Sequence, residues 1–179
     1  MKPKVLLPYS IGMGVLAGVV TLVTWQANGL LITGSNSPLS FLAFCAWPAY
    51  FMIGATPKKA LLAFSSMAFG ILAAVAMFIL AITFGFSPWW AVPLAVFIVV
   101  VFMSWLEKVP PAADIASVFL GTGLYFALSG AGVFGGQFTP ANYLLVGVAE
   151  LAYVLVGFVA GFLSIQWAGL CRRLFGDPA

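Results

Sequence analysis

The sequence has no histidine, only two cysteines and very few charged residues. Charged residues make up 6% of the 179 residues, whereas soluble domains carry about 25%. Hydrophobic residues make up 64%, and the mean hydropathy is +1.16. So little polar surface cannot cover a water-soluble fold, and a disordered chain would be charged and poor in aromatic residues. The composition therefore predicts an integral membrane protein whose first partner is the lipid bilayer.

The missing histidine removes the commonest general base and the commonest metal ligand from the chain. Only four acidic residues are present, and the sequence contains no metal-ligand cluster, no phosphate-binding loop and no Ser/His/Asp set. The net charge of +3 is small, and the basic residues form no stripe of the kind that binds nucleic acid. We therefore expect no enzyme activity, no catalytic residue, no metal, no cofactor and no nucleic-acid partner.

The charged residues divide the chain into three long apolar blocks. Residues 5–57 and 60–106 carry no charge, and residues 115–171 carry only Glu150. One helical span needs about 20 apolar residues, so each block is long enough for two. Each block also has a polar or Pro/Gly break near its middle, at Thr33–Pro38, Gly85–Pro88 and Ser129–Pro140.

Six helical spans follow from these blocks and breaks. They are predicted at residues 9–33, 38–54, 60–84, 89–106, 112–130 and 141–170. The apolar runs are continuous, without the alternation of a barrel strand, and helices satisfy their own backbone groups in lipid. The predicted fold class is therefore an all-α integral membrane protein with six transmembrane helices, forming a single domain over residues 1–179.

All seven basic residues fall on one side of a six-span topology. They are Lys2, Lys4, Lys58, Lys59, Lys108, Arg172 and Arg173. The three loops on the opposite side contain none. Because basic residues concentrate in cytoplasmic loops, this distribution predicts that both termini lie in the cytoplasm.

Short matches recur in the same order in residues 1–87 and 88–179. The matched segments are Thr24-Trp25 with Ser104-Trp105, Phe44-x5-Tyr50-Phe51 with Phe119-x5-Tyr125-Phe126, and Thr56-Pro57 with Thr139-Pro140. These matches predict a three-plus-three repeat, whose halves would be inverted in the membrane because each has three spans. Chance is the alternative, since Phe, Leu and Gly are abundant in this chain.

The second and fifth predicted spans are the best candidates for a transport site. Such sites form where matched spans are short or interrupted by Gly or Pro. The second span is short and contains Pro48, which removes a backbone donor and predicts a kink or break. The matched position in the fifth span is Gly123, next to Thr122. The alternative is a proline kink and glycine-mediated helix packing, both common in membrane helices.

Glu150 is the one charged residue predicted near the middle of a span. A carboxylate at that depth is costly unless it is paired, hydrated or protonated, and no basic residue is predicted within any span. The residue therefore predicts a functional site that prefers a neutral hydrogen-bond donor or a cation to an anion. The alternative is a protonated hydrogen bond that only holds helices together.

Two segments carry a resemblance to a known family. They are Phe41-Leu-Ala-Phe-Cys-Ala-Trp-Pro-Ala-Tyr-Phe51 and Phe119-Leu-Gly-Thr-Gly-Leu-Tyr-Phe126. The chain resembles small six-span bacterial inner-membrane proteins of unknown function over nearly its whole length, which implies a location in the bacterial inner (cytoplasmic) membrane. Through its aromatic residues it is also similar in kind to channels for urea and short amides, an analogy of architecture.

The sequence therefore predicts a channel or carrier for a small polar solute, neutral or cationic, such as urea, an amide or guanidinium. The expected site lies between the second and fifth spans, with Glu150 of the sixth span near it. The predicted substrate-binding residues are Phe44, Trp47, Pro48, Tyr50, Phe119, Thr122, Gly123, Tyr125 and Glu150. A chain this small also predicts a homo-oligomer. The alternative class is a structural or accessory membrane subunit that transports nothing.

Overall fold

Helices account for all regular structure in the computed structural model, which describes residues 3–31, 39–135 and 139–176. No strand occurs among these residues. The α-helices are α1 (Pro3–Leu31), α2 (Ser40–Met52), α3 (Pro57–Thr83), α4 (Ala91–Met103), α5 (Ile115–Gly130) and α6 (Pro140–Phe175). Three short 3-10 helices cover Ser104–Lys108, Pro110–Ala112 and Val133–Gly135.

Each predicted span overlaps one α-helix, so the prediction of an all-helical fold is confirmed for the described residues. α1 begins before residue 9 because Pro8 is accommodated in its second turn, where it removes one backbone donor. α6 continues beyond residue 170 and carries Arg172 and Arg173 in its last turn, where positive charge suits the helix dipole. Lys2, the break at Thr33–Pro38 and residues 136–138 of the third break lie outside the described residues.

Four helical segments are long and apolar enough to cross a membrane. They are Lys4–Asn28, Pro57–Thr83, Ala91–Lys108 and Pro140–Phe175. α2 and α5 are apolar but shorter, with 13 and 16 residues. Both helices are therefore short, as expected, but a break at Pro48 is not found. α2 continues through Pro48: the proline ring fixes a helix-compatible φ, although it removes one backbone hydrogen bond and crowds the carbonyl four residues earlier.

The chain forms two compact units, each with its own packed interior. The first unit comprises Met1–Pro57 and Tyr153–Ala179, and so contains α1, α2 and the C-terminal part of α6. Its core cluster consists of Val20, Ala43, Trp47 and Ala160. The Thr24 hydroxyl donates to the Ser40 hydroxyl at 2.6 Å, which ties α1 to α2.

The second unit comprises Lys58–Ala152, with most of α3, all of α4 and α5, and the N-terminal part of α6. Its core cluster consists of Ala73, Met77, Met103 and Val118. Near the start of α5, the Ser66 hydroxyl accepts a hydrogen bond from the Asp114 backbone N–H at 3.3 Å. The Ser65 hydroxyl donates to the Pro111 carbonyl at 2.6 Å. These bonds fix the loop before α5 against α3.

Candidate functional site

The nine predicted site residues divide into an enclosed group and an exposed group. The enclosed residues are Trp47, Tyr50, Thr122, Tyr125 and Glu150. The residues on exposed helix faces are Phe44, Pro48, Phe119 and Gly123. An exposed apolar face of a membrane protein meets lipid or another chain, so the structure does not bring these four to the enclosed polar positions. Their part in a solute path stays a prediction.

Glu150 is enclosed on α6 within the second unit. Its side chain is 0% exposed, and neither carboxyl oxygen has a hydrogen-bond partner among the described residues. A buried polar group without a partner costs about 1–3 kcal/mol, and an ionised carboxylate without a counter-charge costs far more. The enclosed carboxyl of Glu150 therefore has a free-energy cost for folding. Residues that cost stability in this way are typical of functional sites.

Tyr125 on α5 is the titratable neighbour of this carboxyl. Its hydroxyl donates to the Tyr143 backbone carbonyl at 3.2 Å. Tyr143, Gly147 and Glu150 follow each other at helical spacings of four and three, which places them on one face of α6. A Cβ atom built on Gly147 would lie 3.9 Å from Cε2 of Tyr125. This face of α6 therefore lies against the Tyr125 ring.

Aromatic rings continue the site from Tyr125 toward α3. The ring centroids of Phe78 and Tyr125 are 6.3 Å apart, and those of Phe78 and Phe126 are 4.8 Å apart. The faces of such rings carry partial negative charge and attract cations. Phe78 was not among the predicted site residues, because one more phenylalanine in a wholly apolar helix carries no distinguishing signal.

Thr122 has a packing role in the second unit. Its hydroxyl lies 2.9 Å from the Gly70 carbonyl and 2.9 Å from the Val118 carbonyl, and donates to both. A Cβ atom on Gly70 would stand 2.1 Å from the Val118 carbonyl oxygen, and one on Gly121 would stand 2.5 Å from the Met67 carbonyl oxygen. α3 and α5 therefore pack at a distance that only glycine allows, and the Thr122 hydroxyl is occupied there.

Trp47 and Tyr50 occupy the interior of the first unit. The indole Nε1 of Trp47 donates to the Ser164 hydroxyl at 2.8 Å. The Tyr50 hydroxyl is buried and has no partner among the described residues, while its ring packs on Gly161 and lies 6.2 Å from the Phe158 ring. Ser164 could not be predicted from the sequence as the partner of Trp47, because 117 residues separate the two.

The contacts inside the two units repeat position by position. The match of Phe44 with Phe119 also aligns Ala43 with Val118 and Trp47 with Thr122. In the first unit, a Cβ atom on Gly157 would meet the Ala43 carbonyl at 2.3 Å and the Trp47 amide at 3.0 Å. In the second unit, a Cβ atom on Gly70 would meet the Val118 carbonyl at 2.1 Å and the Thr122 amide at 2.9 Å.

These glycine contacts change one part of the sequence match. The recurring Thr-Pro segments align Pro57 with Pro140 at the starts of α3 and α6. The contacts align Gly70 with Gly157 instead. This alignment of α3 with α6 is shifted by four residues, about one helical turn, from the alignment of the two prolines. The core clusters agree with the contacts, since this alignment also relates Ala73 to Ala160, a core residue in each unit.

Each unit also carries an apolar groove. The groove of the first unit has a volume of about 560 Å³ and lies between α1 and α6, where Gly12 faces Trp167. The groove of the second unit has a volume of about 370 Å³ and is lined by α3 and α6, including Ile71 and Gly147. Both linings are almost wholly apolar, so these grooves suit acyl chains better than a polar solute.

Comparison with known protein families finds a match over most of the chain. A family model described as "Protein of unknown function (DUF1097)" matches residues 10–169. The matched region contains all nine predicted site residues and both units' core clusters. No curated protein and no solved structure matches the chain significantly.

Proposed function

Since the chain belongs to the DUF1097 family of proteins of unknown function, we propose a function from its own chemistry: a carrier for a small polar solute. In this proposal the chain crosses the bacterial inner membrane six times, with both termini in the cytoplasm. The observation that carries the proposal is Glu150, a fully enclosed carboxyl whose two oxygens have no partner among the described residues. An ionisable residue inside a membrane bundle is by default a functional site.

A carrier fits this site better than an open channel does. A channel that passed through Glu150 would leave part of its side chain in contact with water. The side chain is instead 0% exposed, as is that of Tyr125. A carrier encloses its site in some conformations and opens it in others. The full enclosure of Glu150 and Tyr125 therefore supports a carrier over an open channel.

The accessory-subunit alternative requires a packing role for Glu150. Polar residues that hold membrane helices together do so through hydrogen bonds across helices. Thr122 has such bonds, to Gly70 and within its own helix. Glu150 has none among the described residues. The contrast between these two residues favours packing for Thr122 and solute binding for Glu150.

We also propose that the two units derive from an internal repeat, with halves 1–87 and 88–179 inverted in the membrane. The matched contacts of Gly70 and Gly157 support it. Each unit then combines two helices of one half with the third helix of the other. A site between the second and fifth spans, and assembly into a homo-oligomer, remain predictions from the sequence.

The test is solute flux into proteoliposomes that contain the purified protein. The panel would include urea, acetamide, guanidinium, methylammonium and glycerol, with empty liposomes as controls. We expect saturable flux of at least one of these solutes, lost in Glu150→Gln and retained in Val148→Ala, which changes an exposed residue of the same helix. Absence of flux across the whole panel, from protein shown to be folded, would favour the accessory subunit.

A further inference from the structure

We infer, on the basis of the proposed carrier function, that Glu150 exchanges one proton for one compact organic monocation of the guanidinium or methylammonium class. The proposed function leaves the charge of the solute open. The groups around Glu150 distinguish a neutral solute from a cationic one, because the two kinds of solute differ in the hydrogen-bond donors and acceptors that they need.

Two hydroxyl groups in this part of the second unit already donate their protons to backbone carbonyls. The Tyr125 hydroxyl donates to the Tyr143 carbonyl, and the Thr122 hydroxyl donates to carbonyls on α3 and α5. The two oxygens of Glu150 receive no donor from the described residues. A guanidinium or methylammonium ion is a donor only, and it satisfies such a site. Urea also has a carbonyl oxygen that needs a donor, so it would bind only while the carboxyl of Glu150 keeps its proton.

The aromatic rings favour the same charge. Tyr125, Phe78 and Phe126 form a connected aromatic cluster, and the Tyr125 ring lies against the face of α6 that carries Glu150. Ring faces attract ammonium and guanidinium ions, most strongly where water is excluded. A neutral solute gains less from these faces. A carboxylate on a helix face that packs against an aromatic ring is therefore a better site for a cation than for a neutral solute.

The exchange follows from charge balance. In the empty site an ionised carboxylate without a counter-charge is too costly, so Glu150 holds its proton. When the cation binds, the O–H bond of the carboxyl breaks, the proton leaves for the aqueous phase, and the carboxylate pairs with the cation. The site is neutral before and after. Return of a proton releases the cation on the other side of the membrane.

No other charged group among the described residues is placed to neutralise the Glu150 carboxylate or the bound cation. Tyr125 faces the site from α5, and Tyr143 lies on the same face of α6 as Glu150. α3 has its charged residues, Lys58 and Lys59, in its first turn, far along the helix from Ile71, which contacts Gly147 on the Glu150 face. The exchange is therefore one proton for one cation.

Calorimetry of the purified protein tests the exchange directly. Guanidinium and urea form a matched pair of planar ligands that differ in charge. Titrations in buffers of different ionisation enthalpy give the number of protons released on binding. We expect guanidinium to release one proton per bound ion, and urea to release none and bind more weakly. Equal binding of urea, or guanidinium binding without proton release, would overturn the inference.

Two variants separate the site from a loss of folding. Glu150→Gln removes the titrating group and should abolish both guanidinium binding and proton release. Tyr125→Phe keeps the ring and removes the hydroxyl, so it should still release one proton per bound guanidinium. Both variants must elute as the wild type does on size exclusion. Proton release from Glu150→Gln equal to that of the wild type would place the exchange elsewhere and refute the inference.

Flux measurements distinguish failure of the exchange from failure of the carrier. We expect an imposed pH gradient to drive guanidinium into proteoliposomes against its own gradient. Uptake of guanidinium that follows only the membrane potential, or uptake of urea alone, would refute the exchange and leave the carrier standing. Proton-releasing binding of guanidinium without any flux would support the site and refute the carrier.

Discussion

Gly70 of α3 and Val118 of α5 approach each other so closely that a Cβ atom on Gly70 would stand 2.1 Å from the Val118 carbonyl oxygen. The Thr122 hydroxyl reinforces this contact by donating to the Gly70 carbonyl at 2.9 Å. In a membrane, helices associate through such close packing and interhelical hydrogen bonds, because lipid is as apolar as the side chains. This pair of residues therefore sets the spacing of α3 and α5 in the second unit.

The first prediction concerns this spacing. Gly70→Ala should lower the free energy of unfolding by about 1–3 kcal/mol, because the new methyl group meets backbone atoms that cannot move aside separately. Gly123→Ala on the exposed face of α5 is the matched control, since nothing lies within 4 Å of its Cβ position. It should be neutral, or stabilise by up to about 1 kcal/mol through helix propensity. Denaturation in detergent micelles measures both, and equal stabilities would contradict the packing argument.

The second prediction concerns the cost of Glu150 to the fold. Replacement by methionine, Glu150→Met, should raise the free energy of unfolding by about 1–3 kcal/mol, because the enclosed carboxyl has no hydrogen bond to lose. The same replacement should abolish solute binding. A carboxyl that held helices together would give the opposite result, a less stable variant. Val148→Met, at an exposed position of the same helix, controls for a general effect of methionine.

The third prediction concerns the hydrogen bond from Trp47 to Ser164 in the first unit. Trp47→Phe and Ser164→Ala each remove one partner of the 2.8 Å bond. A double-mutant cycle should give a coupling energy of about 0.5–1.5 kcal/mol. Trp89→Phe is the control, because the Trp89 side chain is 88% exposed, and its replacement should leave stability unchanged. A coupling energy of zero would mean that the bond adds nothing to stability.

The fourth prediction concerns orientation in the membrane. Single cysteines would be introduced at Ser87 and at Lys58, both exposed, in a background with Cys45→Ala and Cys171→Ala. A membrane-impermeant maleimide should label Ser87→Cys in intact cells and Lys58→Cys only after permeabilisation, because basic loops stay in the cytoplasm. The reverse pattern of labelling would place the termini outside the cytoplasm.

The breaks between the helices could be predicted from the sequence, because charged residues and turn-forming residues mark them locally. Charged residues are so rare that Lys58-Lys59 and Glu107-Lys108 stand out as ends of apolar runs. Gly85–Pro88 contains the residues that favour turns, and Gly85 and Phe86 do adopt positive φ between α3 and α4. These signals depend on a few neighbouring residues, so no knowledge of the tertiary structure is needed to read them.

The buried faces of the helices could not be predicted in the same way. α2 and α5 are apolar on all sides, so hydrophobic periodicity does not distinguish Trp47, which is buried, from Phe44, which is 38% exposed. Likewise, the sequence indicates that Glu150 lies deep in a span, but its complete enclosure depends on helices that are distant in the chain. Predictions about single residues therefore stayed open where they depended on the rotation of a helix about its axis.

The shortness of α2 and α5 has a consequence for the surrounding bilayer. With 13 and 16 residues, they extend about 20 Å and 24 Å at 1.5 Å per residue, while a bilayer hydrocarbon core is about 30 Å thick. In the six-span topology proposed above, lipid beside helices this short would thin locally, at a free-energy cost that grows with acyl-chain length. The conformational equilibrium of the protein would then depend on membrane thickness. Longer-chain lipids would raise the free energy of any conformation that exposes these two helices to the acyl chains.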